Sequence, residues 1–216
     1  MTLNKNYDAI LFDLDGTLWD TIESCMQSLE YVKNKYPDIT KKITSEQVKT
    51  AMGKSFDEIV QIYYGYLPKE KAVNYAKEAF NKNVENLLEN GGILYSNTKD
   101  TILELSKKYK LYIVSNCVDG YIESFLNTSG LSKCFKDYEC NGKTGLSKGE
   151  NINLIIERNV LKNAIYVGDT ISDKEAANFA NIPFIYSSYG FGNVNEYNYK
   201  IDDISDLIKI LIKESQ

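Results

Sequence analysis

Acidic, hydroxyl and amide side chains follow three short apolar segments of the chain, at the points where those segments end. In chain order they are Asp13 and Asp15, Ser115 and Asn116, and Asp169 and Asp173. Because the carboxyl ends of parallel strands meet at one edge of a sheet, we expect these side chains to lie together. Asp13 is the strongest indication, since it lies in an otherwise apolar run where an unpaired charge is costly.

Four carboxylates at one sheet edge repel each other and are costly to remove from water unless a cation neutralises them. A hard divalent cation with oxygen ligands meets that need, and few protein ligands with retained waters suit Mg²⁺ better than Ca²⁺. A carboxylate can also attack phosphorus and form an aspartyl phosphate. Lys148, in a loop after a weaker strand, is placed to neutralise a substrate phosphate at the same edge. Taken singly, an aspartate after a strand is often only a turn former or a helix cap.

The elements that must position these side chains alternate between strand and helix after Gly92. Apolar runs predict strands at 7–14, 111–114, 135–140, 164–167 and 182–186. Helical patterns lie at 99–109, 119–128, 149–159, 173–181 and 204–213. This alternation predicts an α/β fold, a Rossmann-like doubly wound parallel sheet with helices on both faces.

The chain between the first strand and Gly92 has helical patterns only. Helices are predicted at 21–36, 44–52 and 55–64, and a long one begins at Pro68, a residue favoured at a first helical position. This stretch interrupts the alternating pattern. We therefore expect a core formed by residues 1–17 and 91–216, with an inserted α-helical cap at 18–90.

Composition excludes several kinds of chemistry. The chain of 216 residues has no histidine, so it cannot contain a Ser-His-Asp triad or a His-ligated zinc site. Its net charge of −5 and its single arginine, Arg158, disfavour nucleic acid as a partner. No apolar run approaches the roughly 20 residues of a membrane helix, and no signal-peptide pattern precedes the first strand. Four scattered cysteines without a C-x-x-C pair indicate free thiols in a cytoplasmic protein, which we expect to be a monomer or homodimer.

The run Asp13-Leu14-Asp15-Gly16-Thr17 resembles the first motif of the haloacid dehalogenase-like hydrolases. Ser115 resembles the second motif, Lys148 the third, and the run Gly168-Asp169-Thr170-Ile171-Ser172-Asp173 the fourth. The motifs occur in family order over nearly the whole chain. The helical stretch at 18–90 resembles the small cap of the phosphoglycolate-phosphatase-like branch.

The resemblance implies roles for the carboxylates of the first and fourth motifs. Asp13 would be the nucleophile, and Asp15 would be the general acid and then the general base. Asp13, the backbone carbonyl of Asp15 and Asp169 would hold Mg²⁺, with Asp173 as a further ligand or as support. Thr17 would support the first loop and orient Asp15.

The remaining motif residues are expected to hold the phosphoryl group. Ser115, the backbone amide of Asn116 and Lys148 would bind its oxygens, with Gly16 and Gly168 as supporting residues. Related phosphatases often have proline after the motif lysine, whereas this chain has Gly149, which predicts a looser helix start.

Two features bear on the reaction and the substrate. Asp15 stands where family dehalogenases lack an acid and phosphonate hydrolases carry alanine, so the resemblance favours phosphate esters and disfavours Lys54 as a Schiff-base lysine. Gly53-Lys54-Ser55 is the candidate cap loop for substrate contact, because glycine permits close approach and Lys54 would meet an anionic group. A solvated turn between helices is the alternative.

The leading hypothesis is a Mg²⁺-dependent phosphatase that acts on a small phosphorylated metabolite through an aspartyl phosphate. A phosphosugar mutase on the same scaffold is one alternative, and a non-catalytic phosphate-binding module is another.

The sequence leaves the roles of three further features open. Trp19 either lines the cleft or packs in the core, the tyrosines at 63, 64 and 66 pack in the cap or stack on a base, and the loop 186–192 borders the cleft without an assigned role.

Overall fold

The computed structural model describes residues 7–212, so the predicted ends of the first and last segments, at 1–6 and at Lys213 and beyond, lie outside the described residues. The strands of the described part are β1 (Ala9–Phe12), β2 (Trp19–Asp20), β3 (Ile93–Leu94), β4 (Lys110–Ser115), β5 (Phe135–Cys140), β6 (Ala164–Gly168), β7 (Phe184–Ser187) and β8 (Tyr199–Ile201). Six of them form one parallel sheet in the order β5-β4-β1-β6-β7-β8. The other two, β2 and β3, form a short antiparallel pair.

The register of the central strands places their ends level with one another. Phe12 at the end of β1 pairs with Ile113 of β4 on one side and with Val167 of β6 on the other. Every residue of β1 and β6 is buried, as expected for central strands covered on both faces. The polar residues that follow β1, β4 and β6 therefore emerge at the same edge of the sheet.

Helices account for most of the remaining described chain. They are α1 (Ile22–Lys35), α2 (Ser45–Ala51), α3 (Phe56–Tyr64), α4 (Lys69–Asn90), α5 (Thr98–Leu105), α6 (Tyr121–Ser129), α7 (Asn141–Thr144), α8 (Lys148–Arg158), α9 (Ile171–Phe179) and α10 (Asp206–Leu211). Pro68 caps α4 instead of opening its first turn. The α5 helix ends before the predicted residue 109, because i→i+3 turns follow it. Among residues 7–212, no helix combines the length and apolar composition needed to cross a membrane.

Helices cover both faces of the sheet, which confirms the predicted doubly wound α/β fold. On one face, α5, α6 and α10 pack through residues such as Ile102, Phe125 and Leu207. On the other face, α8 and α9 pack through Ile152 and Ala177. Two separate apolar layers therefore hold the sheet edge that carries the polar residues.

The helices α1–α4 pack around an apolar cluster of their own, which includes Leu29, Val48 and Ala76. Tyr64 lies in this cluster, edge-on to Tyr75 at 6.3 Å, so this tyrosine is a packing residue. The pairing of β2 with β3 joins the two chain segments that enter and leave the four helices. The core and cap boundaries at 17/18 and 90/91 remain a prediction.

Trp19 packs in the core and does not line the cleft. Its side chain is 1% exposed, and its ring meets Tyr121 and Phe125 edge-on at 5.7 and 5.2 Å. The aromatic contacts fix the start of the helical segment against α6, and so help to place Asp15, four residues before Trp19.

Candidate active site

Three aspartates that follow the central strands come together at the sheet edge. Carboxylate oxygens of Asp13, Asp169 and Asp173 lie within 4.8 Å of one another, and all three side chains are buried. Asp13 follows β1 directly and its backbone N–H donates to the carbonyl of Val167, which continues the strand pairing by one residue. The sheet therefore forces carboxylates into contact that would repel one another in isolation.

A buried lysine meets two of these carboxylates. Lys148 Nζ donates to Asp13 Oδ1 at 3.0 Å and to Asp173 Oδ1 at 2.6 Å, and its side chain is 2% exposed. One cation cannot balance three carboxylates. The cluster of Asp13, Asp169, Asp173 and Lys148 is thus short of positive charge.

The helix that carries Lys148 begins firmly. The Ser147 side chain accepts a hydrogen bond from the backbone N–H of Glu150, and the Glu150 carboxylate accepts one from the backbone N–H of Ser147, a reciprocal capping box. Gly149 leaves room for Phe179 of α9, because a Cβ at this glycine would lie 2.7 Å from the Phe179 ring. The capping box thus counters the loose helix start that the glycine predicts.

Both carboxylate oxygens of Asp173 are occupied by protein groups. Oδ2 accepts from the backbone N–H of Asp169 and from the N–H and hydroxyl of Thr170, and Oδ1 accepts from Lys148 and, at 3.4 Å, from Tyr166. This set of partners favours support over ligation, which the sequence left open for Asp173.

Asp169 presents one oxygen that no described residue satisfies. Oδ2 accepts from the backbone N–H groups of Phe191 and Gly192 at 2.7 and 3.3 Å, whereas Oδ1 is buried with no hydrogen-bond partner in the described chain. Gly16 and Gly190 press their backbones against this carboxylate, and a Cβ at either would lie within 2.4 Å of Oδ2. A buried anionic oxygen without a partner is costly, and it fits a site for a hard cation.

The pKa values of the cluster reflect its shortage of positive charge. Burial and, next, repulsion from Asp173 raise the pKa of Asp13 to about 7, although Lys148 opposes both. Burial, followed by the charges of Asp173 and Asp13, holds the pKa of Asp169 well above its usual range. Burial alone would lower the pKa of Lys148, but its attraction to the two carboxylates outweighs burial and raises it.

Asp15 lies outside the carboxylate cluster and has its own partners. Its Oδ1 accepts from the hydroxyls of Thr21 at 2.7 Å and Tyr121 at 2.9 Å. Burial raises the pKa of Asp15 to about 6, while hydrogen bonds from Thr21 and Tyr121 act in the opposite direction. A carboxyl group that titrates near neutral pH is suited to both accept and donate a proton.

The structure corrects the role expected for Thr17. Thr17 is fully buried, and its hydroxyl has no hydrogen-bond partner among residues 7–212, so it does not orient Asp15 through a hydrogen bond. The hydroxyl of Thr21 does this instead. The backbone carbonyl of Thr17 accepts a hydrogen bond from Tyr189 at 2.8 Å, which ties the first loop to the loop after β7.

The other supporting residues act through their lack of a side chain. Gly16 has a φ of 81°, a left-handed conformation that favours glycine, and its position against Asp169 leaves no room for a Cβ. A Cβ at Gly168 would lie 2.6 Å from the side chain of Asp173. Because they have no side chain, Gly16 allows Asp169 to pack against it and Gly168 allows Asp173 to do the same.

Ser115 and Asn116 leave the end of β4 at the same edge. Ser115 is 5% exposed and lines a cleft shared with Asp13 and Asp15, and its hydroxyl has no hydrogen-bond partner within the described residues. Asn116 also lines this cleft, and its side-chain amide donates to the carbonyl of Gly53 at 3.1 Å. The sequence suggested only a backbone role for Asn116.

The loop between α2 and α3 lies against the core at Gly53. Gly53 has a φ of 74°, and a Cβ there would lie 3.1 Å from the Thr170 side chain. Lys54 lines the cleft, with Nζ 3.8 Å from Glu58. Ser55 caps α3 through a capping box with Glu58. Substrate contact by these three residues stays a prediction.

Sequence reasoning missed the two hydroxyls that hold Asp15 and the two amides that hold Asp169. Tyr121 opens α6, 106 residues from Asp15, and no motif marks it. Thr21 precedes α1 as a helix cap would, but its side chain makes no cap bond, since it faces Asp15. In the loop at 186–192, Gly190 and Gly192 are the sequence signal for a close approach of the backbone to another group.

The chain belongs to the haloacid dehalogenase-like hydrolase family, whose sequence model matches residues 10–187. It is 24% identical over 223 residues to a phosphoglycolate phosphatase from Aliivibrio fischeri, an alignment that covers 96% of each chain. It is 28% identical over 167 residues to the HAD-hydrolase YfnB of Bacillus subtilis, covering 71% of each. These similarities confirm the predicted phosphatase class and its phosphoglycolate-phosphatase-like branch.

Solved structures share the fold. A haloacid dehalogenase-like hydrolase from Bacteroides fragilis superposes with a TM-score of 0.82 at 23% identity, over 94% of this chain and all of that one. The orthorhombic crystal form of YfnB, described as bound to magnesium, gives a TM-score of 0.72 at 20% identity, over 96% of this chain and 99% of that one. The α/β architecture around the sheet edge is thus that of the family.

Proposed function

We propose that this enzyme hydrolyses a small phosphorylated metabolite with Asp13 as the nucleophile, through an aspartyl phosphate. One observation carries the proposal. Lys148 Nζ lies 3.0 Å from Oδ1 of the buried Asp13 carboxylate and holds it in place, and Asp13 lines the cleft beside Asp15. A carboxylate that is held in one orientation beside a cleft is suited to in-line attack on phosphorus.

The residues present fit a Mg²⁺ ion at this edge. Asp13, the backbone carbonyl of Asp15 and Asp169 would hold it, and the unpartnered Oδ1 of Asp169 is the observation that supports this assignment. Asp173 would support Asp169 and Lys148 instead of binding the ion. When bound, Mg²⁺ would neutralise charge on the phosphoryl oxygens.

In the proposed hydrolysis, Asp13 forms the bond to phosphorus and Asp15 transfers the protons. The Asp13 carboxylate attacks phosphorus and the bond from phosphorus to the ester oxygen breaks, while Asp15 donates a proton to that oxygen. Asp15 then takes a proton from a water molecule, which attacks phosphorus and releases phosphate and free Asp13. Lys148 and Ser115 bind phosphoryl oxygens throughout, and Lys148 is already charged and desolvated for that task.

The test measures phosphate release from a panel of small phosphoesters, with and without Mg²⁺. The native chain, an Asp13→Asn variant and an Asp202→Asn control are compared, since the exposed Asp202 side chain contacts Lys200 and Ser188 and does not line the cleft. We expect Mg²⁺-dependent release that Asp13→Asn abolishes and Asp202→Asn leaves intact. Release unchanged in Asp13→Asn contradicts the nucleophile, and no release from any ester favours a binding role.

We also propose that the enzyme acts in the cytoplasm as a monomer or homodimer, with residues 18–90 as a cap over the core. All four cysteines are free, which supports a reducing compartment. The separate apolar cluster of α1–α4 supports the cap.

A further inference from the structure

The cleft above Asp13 and Asp15 continues into the four-helix segment, and there its walls are apolar. Its volume is about 80 Å³. On the helical side the walls are formed by Leu29, Met52, Ile59, Ala76, Ala79 and Phe80. Two of these are alanines at one face of α4, which leave space that larger side chains would fill. We call this part of the cleft the apolar pocket.

Most polar side chains of the apolar pocket are already paired within the protein. Asn83 accepts a hydrogen bond from Ser24 at 2.6 Å and donates one to Cys25, and Ser28 donates to the carbonyl of Cys25 at 2.8 Å. These groups therefore have little capacity left for a ligand. Tyr63 differs, because its hydroxyl has no hydrogen-bond partner in the described chain although the residue lines the cleft.

Charge is nearly absent from the apolar pocket. Lys54 is the one cation among the described cleft-lining residues on the helical side, and Glu58, 3.8 Å from its ammonium, already offsets part of its charge. The single arginine, Arg158, pairs with Asp137 and Glu139 on the edge strand β5. A carboxylate placed among these apolar walls would lose its hydration, and Lys54, whose side chain is 39% exposed, would compensate that loss only in part.

On the basis of the proposed function, we infer that the physiological substrate is the phosphate monoester of an uncharged, largely apolar alcohol. The phosphoryl group lies at Asp13, and the hydrocarbon or aromatic part of the leaving group fills the apolar pocket. The Tyr63 hydroxyl is available for one polar substituent. Phosphoglycolate, whose leaving group carries a carboxylate, is accordingly a poor substrate for this chain.

The first experiment compares kcat/KM for phenyl phosphate, butyl phosphate and phosphoglycolate under the same Mg²⁺ concentration. We expect the two uncharged esters to exceed phosphoglycolate by at least about tenfold, since apolar burial favours them and an unpaired carboxylate is penalised. A preference for phosphoglycolate, or equal rates, would overturn the inference while leaving the phosphatase proposal intact. No hydrolysis of any ester would overturn both.

A specificity variant tests the pocket itself. Ile59, half-buried on α3, is replaced by lysine, which supplies the missing cation. Gln61→Lys adds the same charge on the same helix, at an exposed residue that does not line the cleft. We expect Ile59→Lys to lower the ratio of phenyl phosphate to phosphoglycolate kcat/KM by at least about tenfold, and Gln61→Lys to change it less than about twofold.

A truncation variant provides a second test of the apolar pocket in case Ile59→Lys destabilises α3. Ile59→Ala removes apolar contact in the pocket, and Val73→Ala removes similar contact in α4 outside it. We expect Ile59→Ala to lower kcat/KM for phenyl phosphate about fivefold with little change for phosphoglycolate. Equal effects of both alanine variants on both esters would show that the apolar pocket does not receive the leaving group.

Discussion

The ammonium of Lys148 lies 2.6 Å from Asp173 Oδ1, and the side chain of neither residue is more than 2% exposed. Asp173 also receives backbone N–H groups from Asp169 and Thr170, so its position is fixed before Lys148 meets it. The contact with Asp173 thereby holds the Lys148 side chain in one conformation beside Asp13. We therefore expect Asp173 to affect the proposed reaction through the position of Lys148.

Replacing Asp173 by asparagine tests this dependence. The amide would present N–H groups where Asp169 and Thr170 already donate, so we expect Lys148 to lose its fixed position and kcat to fall about 100-fold. The measurement is steady-state kinetics beside Asp202→Asn, the exposed control. Activity within about threefold of the native enzyme would show that Lys148 is positioned without Asp173.

The hydroxyl of Tyr121 holds Asp15 and leads to a second prediction. Tyr121→Phe removes one of two hydrogen bonds to Asp15 Oδ1, and we expect kcat to fall about tenfold because the carboxyl group is less well oriented. Tyr138→Phe is the matched control, since that hydroxyl donates to Glu123 away from the cluster. Equal kinetics for both variants would contradict a positioning role for Tyr121.

The positions of the clustered carboxylates could be predicted from the sequence, because central parallel strands are recognisable as continuous apolar runs. Asp13 and Asp169 each follow a continuous apolar run, and the sheet brings such strand ends to one edge. Tyr121 and the amides of Phe191 and Gly192 could not be predicted in this way. Tyr121 belongs to a helix far along the chain, and backbone N–H groups have no residue-type signature.

The short elements were missed for a related reason. The strands β2 and β3 have two residues each, and β8, Tyr199–Ile201, has three. Segments this short cannot show the alternation of apolar and polar residues that indicates a strand. Their conformation depends on neighbours distant in sequence, such as β7 for β8. The apolar pocket is likewise a product of tertiary packing, because its residues come from separate helices.

The protonation of Asp13 predicts how Mg²⁺ affects stability. Its pKa is raised to about 7 in the metal-free fold by burial and by Asp173, so the proton stabilises the folded state and this contribution is lost as pH rises through about 7. Mg²⁺ would replace the proton. We therefore expect the increase in Tm on adding Mg²⁺ to be larger at pH 8 than at pH 6, measured by thermal unfolding.

The Asp13→Asn variant is the control for this pH dependence. It removes the titrating group, so the Mg²⁺ effect should be small and should differ less between the two pH values. An equal Mg²⁺ effect on the native chain at pH 6 and pH 8 would contradict the link between proton and cation at this cluster.

Gly190 provides a test of the loop after β7. A Cβ there would lie 2.4 Å from Asp169 Oδ2, so Gly190→Ala must displace the carboxylate. We expect the Mg²⁺ concentration for half-maximal activity to rise at least about tenfold. Gly145→Ala strains a left-handed glycine with nothing within 4 Å, and so controls for strain alone. Equal Mg²⁺ requirements in the two variants would show that the loop does not position Asp169.

The hydrogen bond from Asn116 to the carbonyl of Gly53 joins the sheet edge to the loop between α2 and α3. Asn116→Ala removes this bond, and we expect KM to rise several-fold because the helical wall of the cleft is held less closely over Asp13. Asp13, the proposed nucleophile, and Lys148 keep their contacts in this variant, so kcat should fall less than KM rises. Asn90→Ala, which removes a side-chain bond within α4, is the control.

A second readout separates this tether from direct binding of the phosphoryl group. If Asn116 holds the loop, hydrogen exchange of the amides at 52–55 should be faster in Asn116→Ala than in the native chain, without substrate present. If its side chain bound phosphate instead, exchange in the free protein would not change and inorganic phosphate would inhibit the variant less. Faster exchange together with a raised KM is the result expected from the 3.1 Å contact.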